Sequence, residues 1–453
     1  MILAPLLFVA LAQPAPTLSP AAPAAPGGPP VILVEQQSLP LVQIGLYFAG
    51  GPPFDPPGKA GLSELTNRML LRGTKRRGRA ELEEAIEALG TELFTSTQRY
   101  AVGLGATVLD RHLPAFVALL NEVILEPALD DGEVEKVKRE MLAEVAADLD
   151  DDGSVAGVWF RRLLFEGHPF GHGTHGKRDE LAHLTLADVQ AHYKRTYTQA
   201  RLVISAAGKV DRAHLATLLE PLRYGMPEGD PLDWTGFPSV PAPQGVRVAL
   251  IDKPDRSQGQ ILVGHPSLDA ADPDWAALHV AFVAFGGTFT ARLMQEVRVK
   301  RGLSYGAYAR LATDRVGGYV SLSAAPEAKD IPQTLALLIG EYRRFVTEGL
   351  TADEVAFARG YLRNAWTFTE ETAGARAAQQ TQAVLLGRPQ DYPLKWPALL
   401  EGLTVEAVAD AVKRRLSADD LLAVVVCSAP ALHAEIQALP GVDRVTVHPY
   451  NGE

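Results

Sequence analysis

A chain that repeats itself must build one unit twice and then fit the copies together, which constrains its fold more than any single motif. This sequence repeats once. Leu104, Ala106, Pro114, Ala118, Leu119 and Leu120 recur as Leu322, Ala324, Pro332, Ala336, Leu337 and Leu338, each pair 218 residues apart. Leu129, Glu133 and Val134 recur as Leu350, Glu354 and Val355 at a separation of 221. Leu184, Thr185, Val189, Lys194, Arg195 and Leu202 recur as Leu403, Thr404, Val408, Lys413, Arg414 and Leu421 at 219. Chance similarity between Leu- and Ala-rich helices does not keep order and spacing through three segments. The length agrees, since 453 residues exceed the ~250–300 at which single cores stop growing.

Each half reads as alternating strands, such as Leu41–Phe48 and Tyr100–Ala106, then amphipathic helices, then a strand such as Leu202–Ala207. The fold class is α+β. Residues 31–226 and 245–453 form the two homologous domains, and the Pro-rich stretch 227–244 is an extended linker between them. At the N-terminus, residues 1–12 are apolar and uncharged and end in Ala10-Leu11-Ala12, the pattern of a signal-peptidase site, so the chain is expected to be exported. Residues 13–30, almost all Pro, Ala and Gly, have too few large side chains to offset ordering entropy and predict a disordered tether.

Composition narrows the function classes. With 47% hydrophobic and 21% charged residues and no apolar run near ~18 residues, the chain is expected to be globular rather than membrane-spanning. A net charge of −11 opposes nucleic-acid binding, and the basic run Arg72, Lys75, Arg76, Arg77 and Arg79 reads as a solvated loop entering a helix. Cys427, the single cysteine, lies in the apolar run LLAVVVC, which excludes an internal disulfide and a Cys-rich zinc site. His168, His172 and His175 crowd one Gly/Pro-rich loop and read as structural rather than metal-binding. The acidic run Asp148 to Asp152 lacks the D-x-D-x-D-G order of a Ca²⁺ loop and reads as solvated.

Two segments carry a specific resemblance. In residues 61–74, GLSELTNRMLLRGT, Leu62, Leu65 and Met69 share one helical face that stops at Gly73. The segment resembles the signature helix of the insulinase/pitrilysin (inverzincin) peptidases, G-L-A-H-x-x-E-H-M-x-x-K-G-T, in which two His bind Zn²⁺ and the Glu between them is the general base. Here Glu64 stands at the first His, Asn67 at the base and Arg68 at the second His; only Glu144 fits the place of the third ligand. Asn67 cannot take a proton from water and Arg68 is permanently cationic, so no catalytic zinc is expected in this chain. Glu64 precedes Arg68 by four residues, and with Glu144 approaching from another helix, either Arg68 stands where the metal's charge would stand or the three side chains point separately into solvent.

The second segment, Gly286 to Leu293 followed by Glu296 to Tyr305, resembles the family's second-domain signature, a Gly-rich turn, an S-R-L-like helix and R-x-x-x-G-L-x-Y. Its Arg and Tyr map onto Arg298 and Tyr305. The resemblance implies that these two hold substrate backbone and stabilise the oxyanion opposite a zinc site. It also implies two mostly antiparallel sheets with helices packed on one face of each, forming half of a clamshell. Selective loss of the metal residues, with Arg298 and Tyr305 kept, resembles the zinc-less subunit of a bacterial heterodimer. Zinc is then expected in a homologous partner bearing H-x-x-E-H, with unfolded peptide as substrate and the periplasm as location. The alternative is a non-catalytic structural or peptide-binding homologue.

Overall fold

The computed structural model describes residues 29–452, so the apolar start 1–12 and nearly all of the 13–30 stretch lie outside the described residues. The strands are β1 (Val31–Glu35), β2 (Leu41–Ala49), β3 (Phe94–Thr97), β4 (Ala101–Leu109), β5 (Leu202–Gly208), β6 (Val246–Asp252), β7 (Gln260–Ser267), β8 (Ser304–Thr313), β9 (Gly318–Pro326), β10 (Leu421–Cys427) and β11 (Arg444–Pro449). They form two sheets, ordered β1-β5-β2-β4-β3 and β11-β6-β10-β7-β9-β8. Apart from β11, the second order reproduces the first strand for strand. In each sheet the pairs from the third strand outward are antiparallel, while β1 with β5, β6 with β10 and β11 with β6 are parallel. The sheets are therefore mixed along one edge and antiparallel elsewhere.

The helices repeat as well. Those starting at Leu113, Asp131, Asp152 and Leu186 have counterparts starting at Ile331, Ala352, Ala373 and Val405, at separations of 218, 221, 221 and 219. The matched residues explain why the helices begin there: Thr185 and Thr404 each accept a backbone N–H in the first turn, from Asp188 and Ala407. One face of each sheet is covered by helices of its own half. Val42, Ile44, Leu104 and Ile204 pack on Phe116 and Leu120, and Val263, Leu322 and Val425 on Leu335 and Leu338.

The other face of each sheet is covered by a helix from the opposite half. Asp152–Leu164 lays Ala156, Trp159 and Phe160 on Ala249, Ile251, Leu422 and Val424 of the second sheet. Its counterpart Ala373–Leu385 lays Ala373, Ala377 and Leu385 on Ile32, Val34, Val203 and Ala207 of the first. The alternation of side chains along β5, β6 and β10 gives each strand two apolar faces, and the exchange covers the second one. Phe160 is 2% exposed and stacks edge-on against Tyr319. Phe160→Ala is expected to cost about 3–5 kcal/mol in urea unfolding and to loosen hydrogen-exchange protection of β10, in the half of the sequence that does not contain it.

Polar contacts tie the halves further. The buried Lys253 ammonium donates to the carbonyls of Leu149 (2.7 Å) and Asp150 (3.1 Å) and to Asp152 Oδ1 (2.6 Å). The end of the acidic run is thus a junction, because a buried ammonium needs several acceptors, while the Asp150 and Asp151 side chains remain exposed as the sequence predicts. Between Gly225 and Val246 the linker forms no helix or strand but is pinned, with Trp234 and Phe237 packed on Phe54 at 4.9 and 5.0 Å between ring centres. One helical segment, Trp275–Val299, does reach membrane-spanning length and apolarity, contrary to the sequence expectation. It is core: 67% of its most apolar window is buried, and extended backbone at Thr288 and Ala291 interrupts it.

Candidate functional site

The Leu62–Met69 helix starts at Gly61, whose φ of 101° is the left-handed conformation that glycine tolerates. Leu62, Leu65 and Met69 bury against Val134, Val137 and Met141 of the Asp131–Asp148 helix. That packing sets Arg68 opposite Glu144. Arg68 Nε donates to Glu64 Oε1 at 2.5 Å, and Nη1 and Nη2 donate to Glu144 Oε1 and Oε2 at 2.7 and 2.8 Å. The fork-on-carboxylate geometry is the strongest form of this contact. Glu144's hydrogen bonds to Arg68 hold the guanidinium protonated ever more firmly and hold Glu144 itself below the usual carboxylate range.

Asn67, at the base position, is 0% exposed and fully engaged. Its Nδ2 donates to Ser96 O (2.9 Å), Thr97 Oγ1 (3.1 Å) and Gly103 O (3.3 Å), and its Oδ1 accepts from the Tyr197 hydroxyl at 3.1 Å. The side chain rivets the helix to β3 and β4. The residues at the family's metal positions do not fit Zn²⁺: both candidate carboxylates are spent on a cation that occupies the space between them, and the Asn67 amide is too weak a base to take a proton from water. His175 adds to the cluster from its loop, Nδ1 3.3 Å from Asp148 Oδ2 and Nε2 4.0 Å from Glu144 Oε2. His168 instead faces Pro238 O, and His172 Gly173 O, so the three imidazoles do not converge. No group of three metal-ligating side chains occurs among the described residues.

Under the same helix lies a buried polar string. Asp55 accepts from Gly61 N and Ser63 N, both at 2.9 Å, and from Ser63 Oγ at 2.6 Å, which satisfies the helix's first free N–H groups. Ser63 Oγ lies 3.3 Å from His192 Nε2, while Arg195 donates to His192 Nδ1 at 2.9 Å. Ser, His and Asp are neighbours here without the order of a nucleophilic triad, since the Asp touches the Ser and Ser63 is 0% exposed. Burial, with Arg195 and Arg201 adding to it, pushes His192 down to about 3. The imidazole is neutral in the folded chain and protonates near 6.5 when unfolded, so its stabilisation is complete above pH 6.5 and is lost as pH falls toward 3. Stability is expected to drop by about 3 kcal/mol between pH 6.5 and 4 from this group, and His192→Gln should flatten that slope in urea titrations.

Arg298 and Tyr305 sit in the second half. Arg298 belongs to a π-helical turn, Gln295–Val299, closed by Lys300 N donating to Gln295 O at 3.0 Å; such turns recur at functional sites. Gly302, φ 64°, then reverses the chain into the edge strand β8, whose second residue is Tyr305. The guanidinium lies 4.4 Å from the centre of the Tyr305 ring and 4.8 Å from that of Phe289, sandwiched between the two. Tyr305 is 85% exposed. Among the described residues no side chain or backbone group hydrogen-bonds to the Arg298 guanidinium or the Tyr305 hydroxyl, and none joins either to the Arg68 cluster. Phe289, which completes the sandwich, was not singled out by sequence reasoning; an aromatic nine residues before the Arg was the available signal.

Comparison with known proteins accounts for both segments. Residues 31–153 match the family described as Insulinase (Peptidase family M16), and residues 183–362 match Peptidase M16 inactive domain. An uncharacterized zinc protease of Mycobacterium tuberculosis is 28% identical over 415 residues, 89% of this chain and 92% of that protein. A Helicobacter pylori protein named a non-peptidase homolog is 23% identical over 400 residues, 88% of this chain and 91% of its own length. The crystal structure of a peptidase M16 inactive domain from Pseudomonas fluorescens superposes with a TM-score of 0.83 at 24% identity, covering 89% of this chain and 96% of that one, and shares the fold. The two matched regions together span well over half of the chain, which therefore belongs to the M16 insulinase family of peptidases and their inactive homologues.

Proposed function

We propose that this chain is the zinc-less subunit of a heterodimeric insulinase-type endopeptidase of the bacterial periplasm, and that Arg298 and Tyr305 complete the zinc site of a homologous H-x-x-E-H subunit. One observation carries this reading. Arg298 and Tyr305 fix each other's position by stacking while their polar ends stay uncommitted, as donors awaiting a substrate would. The guanidinium suits a peptide carbonyl. The hydroxyl suits the oxyanion that forms when water adds to the scissile carbonyl, and a donor aimed at developing charge accelerates the step because it binds the transition state better than the substrate. Metal, attacking water and base come from the partner, since Arg68 and Asn67 are committed to other contacts.

The non-catalytic reading draws support from the Helicobacter relative's name and from an Asn67 wholly absorbed in structure. The two readings part on one experiment. The chain is purified alone and together with an H-x-x-E-H homologue from the same genome, and zinc content and cleavage of an unfolded peptide are measured. Neither zinc nor cleavage is expected from this chain alone, and the pair is expected to outpace the zinc-bearing chain by far. Equal cleavage with and without this chain would leave the structural reading standing.

A further inference from the structure

Three of the chain's five tryptophans, Trp275, Trp366 and Trp396, surround one cavity of about 350 Å³ in the second half. His279, Arg388 and Tyr392 lie in the same wall. Trp275 stacks on His279 at 4.8 Å between ring centres and meets Trp396 at 5.4 Å. The Arg388 guanidinium lies 3.9 Å from the Trp275 ring centre and 4.5 Å from that of Tyr392.

An aromatic cage of this kind takes cations, yet here the chain itself supplies one. No carboxylate pairs with that cation directly, although the Asp269 carboxylate is near enough to offset part of the pKa lowering that burial imposes on it. Of the three guanidinium nitrogens only Nε has a protein acceptor, the carbonyl of Ala270; Nη2 is sealed without a partner, and Nη1 is unpartnered but open to water. Among the described residues no carboxylate comes within ion-pair distance of Arg388, in contrast to Arg68, Arg292 or Arg415. The wall offers no second charge, because burial and the nearby Arg388 push His279 down to about 4 and keep it neutral. A half-buried guanidinium with a single hydrogen-bond acceptor leaves most of its donors unused, which favours an anion. The cavity is large enough for one aromatic group, at the small end of ligand pockets.

We propose that this cavity binds an aromatic carboxylate, with the ring against the tryptophans and the carboxylate on Arg388. A free aryl-alkanoic acid and a peptide ending in an aromatic residue present the same chemistry. The site is independent of Arg298 and Tyr305 and needs no partner subunit.

Intrinsic tryptophan fluorescence of the whole chain reads the site directly. Four probes are titrated: 3-phenylpropionate, its amide, the peptide Ala-Ala-Phe with a free C-terminus, and the same peptide amidated. At least one acid is expected to give a saturable change and to bind at least tenfold more tightly than its amide, the margin of one charge-assisted hydrogen bond. Arg388→Gln should bring the acid down to the affinity of the amide and leave the amide unmoved. Preference for the free acid assigns a small-molecule ligand, and preference for the acid-ended peptide assigns a chain terminus. Equal binding of acid and amide, or no saturable change with any probe up to about 10 mM, overturns the proposal. Should Arg388→Gln fail to fold, the comparison of acid with amide on the unmodified chain decides alone.

Discussion

In a complex of this chain with an H-x-x-E-H subunit, Tyr305→Phe is expected to lower kcat about 100-fold while leaving the melting temperature where it was. The two halves of that expectation have separate causes. The hydroxyl makes no hydrogen bond among the described residues and the residue is 85% exposed, so its removal creates no cavity and orphans no buried group. The oxyanion it would bind exists only while the tetrahedral species does, so the loss falls on kcat and spares KM. The ring also stays in place to stack on Arg298, which keeps the guanidinium positioned. Arg298→Ala should act differently, raising KM because it removes a contact made to the bound peptide as well. Measured steady-state rates of the reconstituted pair check both, and a Tyr305→Phe complex within about twofold of the unmodified one would refute the oxyanion role.

The second large effect concerns the missing base. Asn67→Glu restores the residue that the family uses at this position, and it is expected to destabilise the chain by about 4 kcal/mol rather than to prepare it for catalysis. Asn67 donates to two backbone carbonyls and a threonine hydroxyl from a fully buried site. A carboxylate there would face those oxygens with no proton to share. Urea unfolding at neutral pH measures the loss, and a change below about 1 kcal/mol would show that the region relaxes freely. Placing His, Glu and His at positions 64, 67 and 68 together therefore yields a weakened helix before it yields a metal site.

Much of this was legible in the sequence, and the reasons are local. Threonine caps and apolar periodicity concern residues near one another in the chain, and their recurrence at a near-constant separation marked out the matched strands and helices. Glu64 and Arg68 were bound to meet because four residues is one helical turn. Glu144 joined them because the apolar faces of two helices leave few ways to pack. Asn67's partners were not legible: they come from β3, β4 and Tyr197, 29 to 130 residues away, and nothing in residues 61–74 specifies them. The swapped placement of Asp152–Leu164 and Ala373–Leu385 was hidden for a similar reason, since an amphipathic helix announces that it will be covered but not by which sheet. The tryptophan cavity draws on five segments scattered over more than 100 residues, and only the folded chain gathers them.

That helix exchange has a consequence for how such a chain came to exist. A protein holding a single copy of the repeat would keep one bare sheet face and one homeless helix, and would close both only by giving its helix to an identical neighbour across a two-fold axis. The present chain is in effect that dimer written as one gene. Fusion guarantees the partner at any concentration, and it frees the copies to diverge: one carries an exposed tyrosine stacked on an arginine, and the other carries a guanidinium where the H-x-x-E-H pattern has a metal ligand.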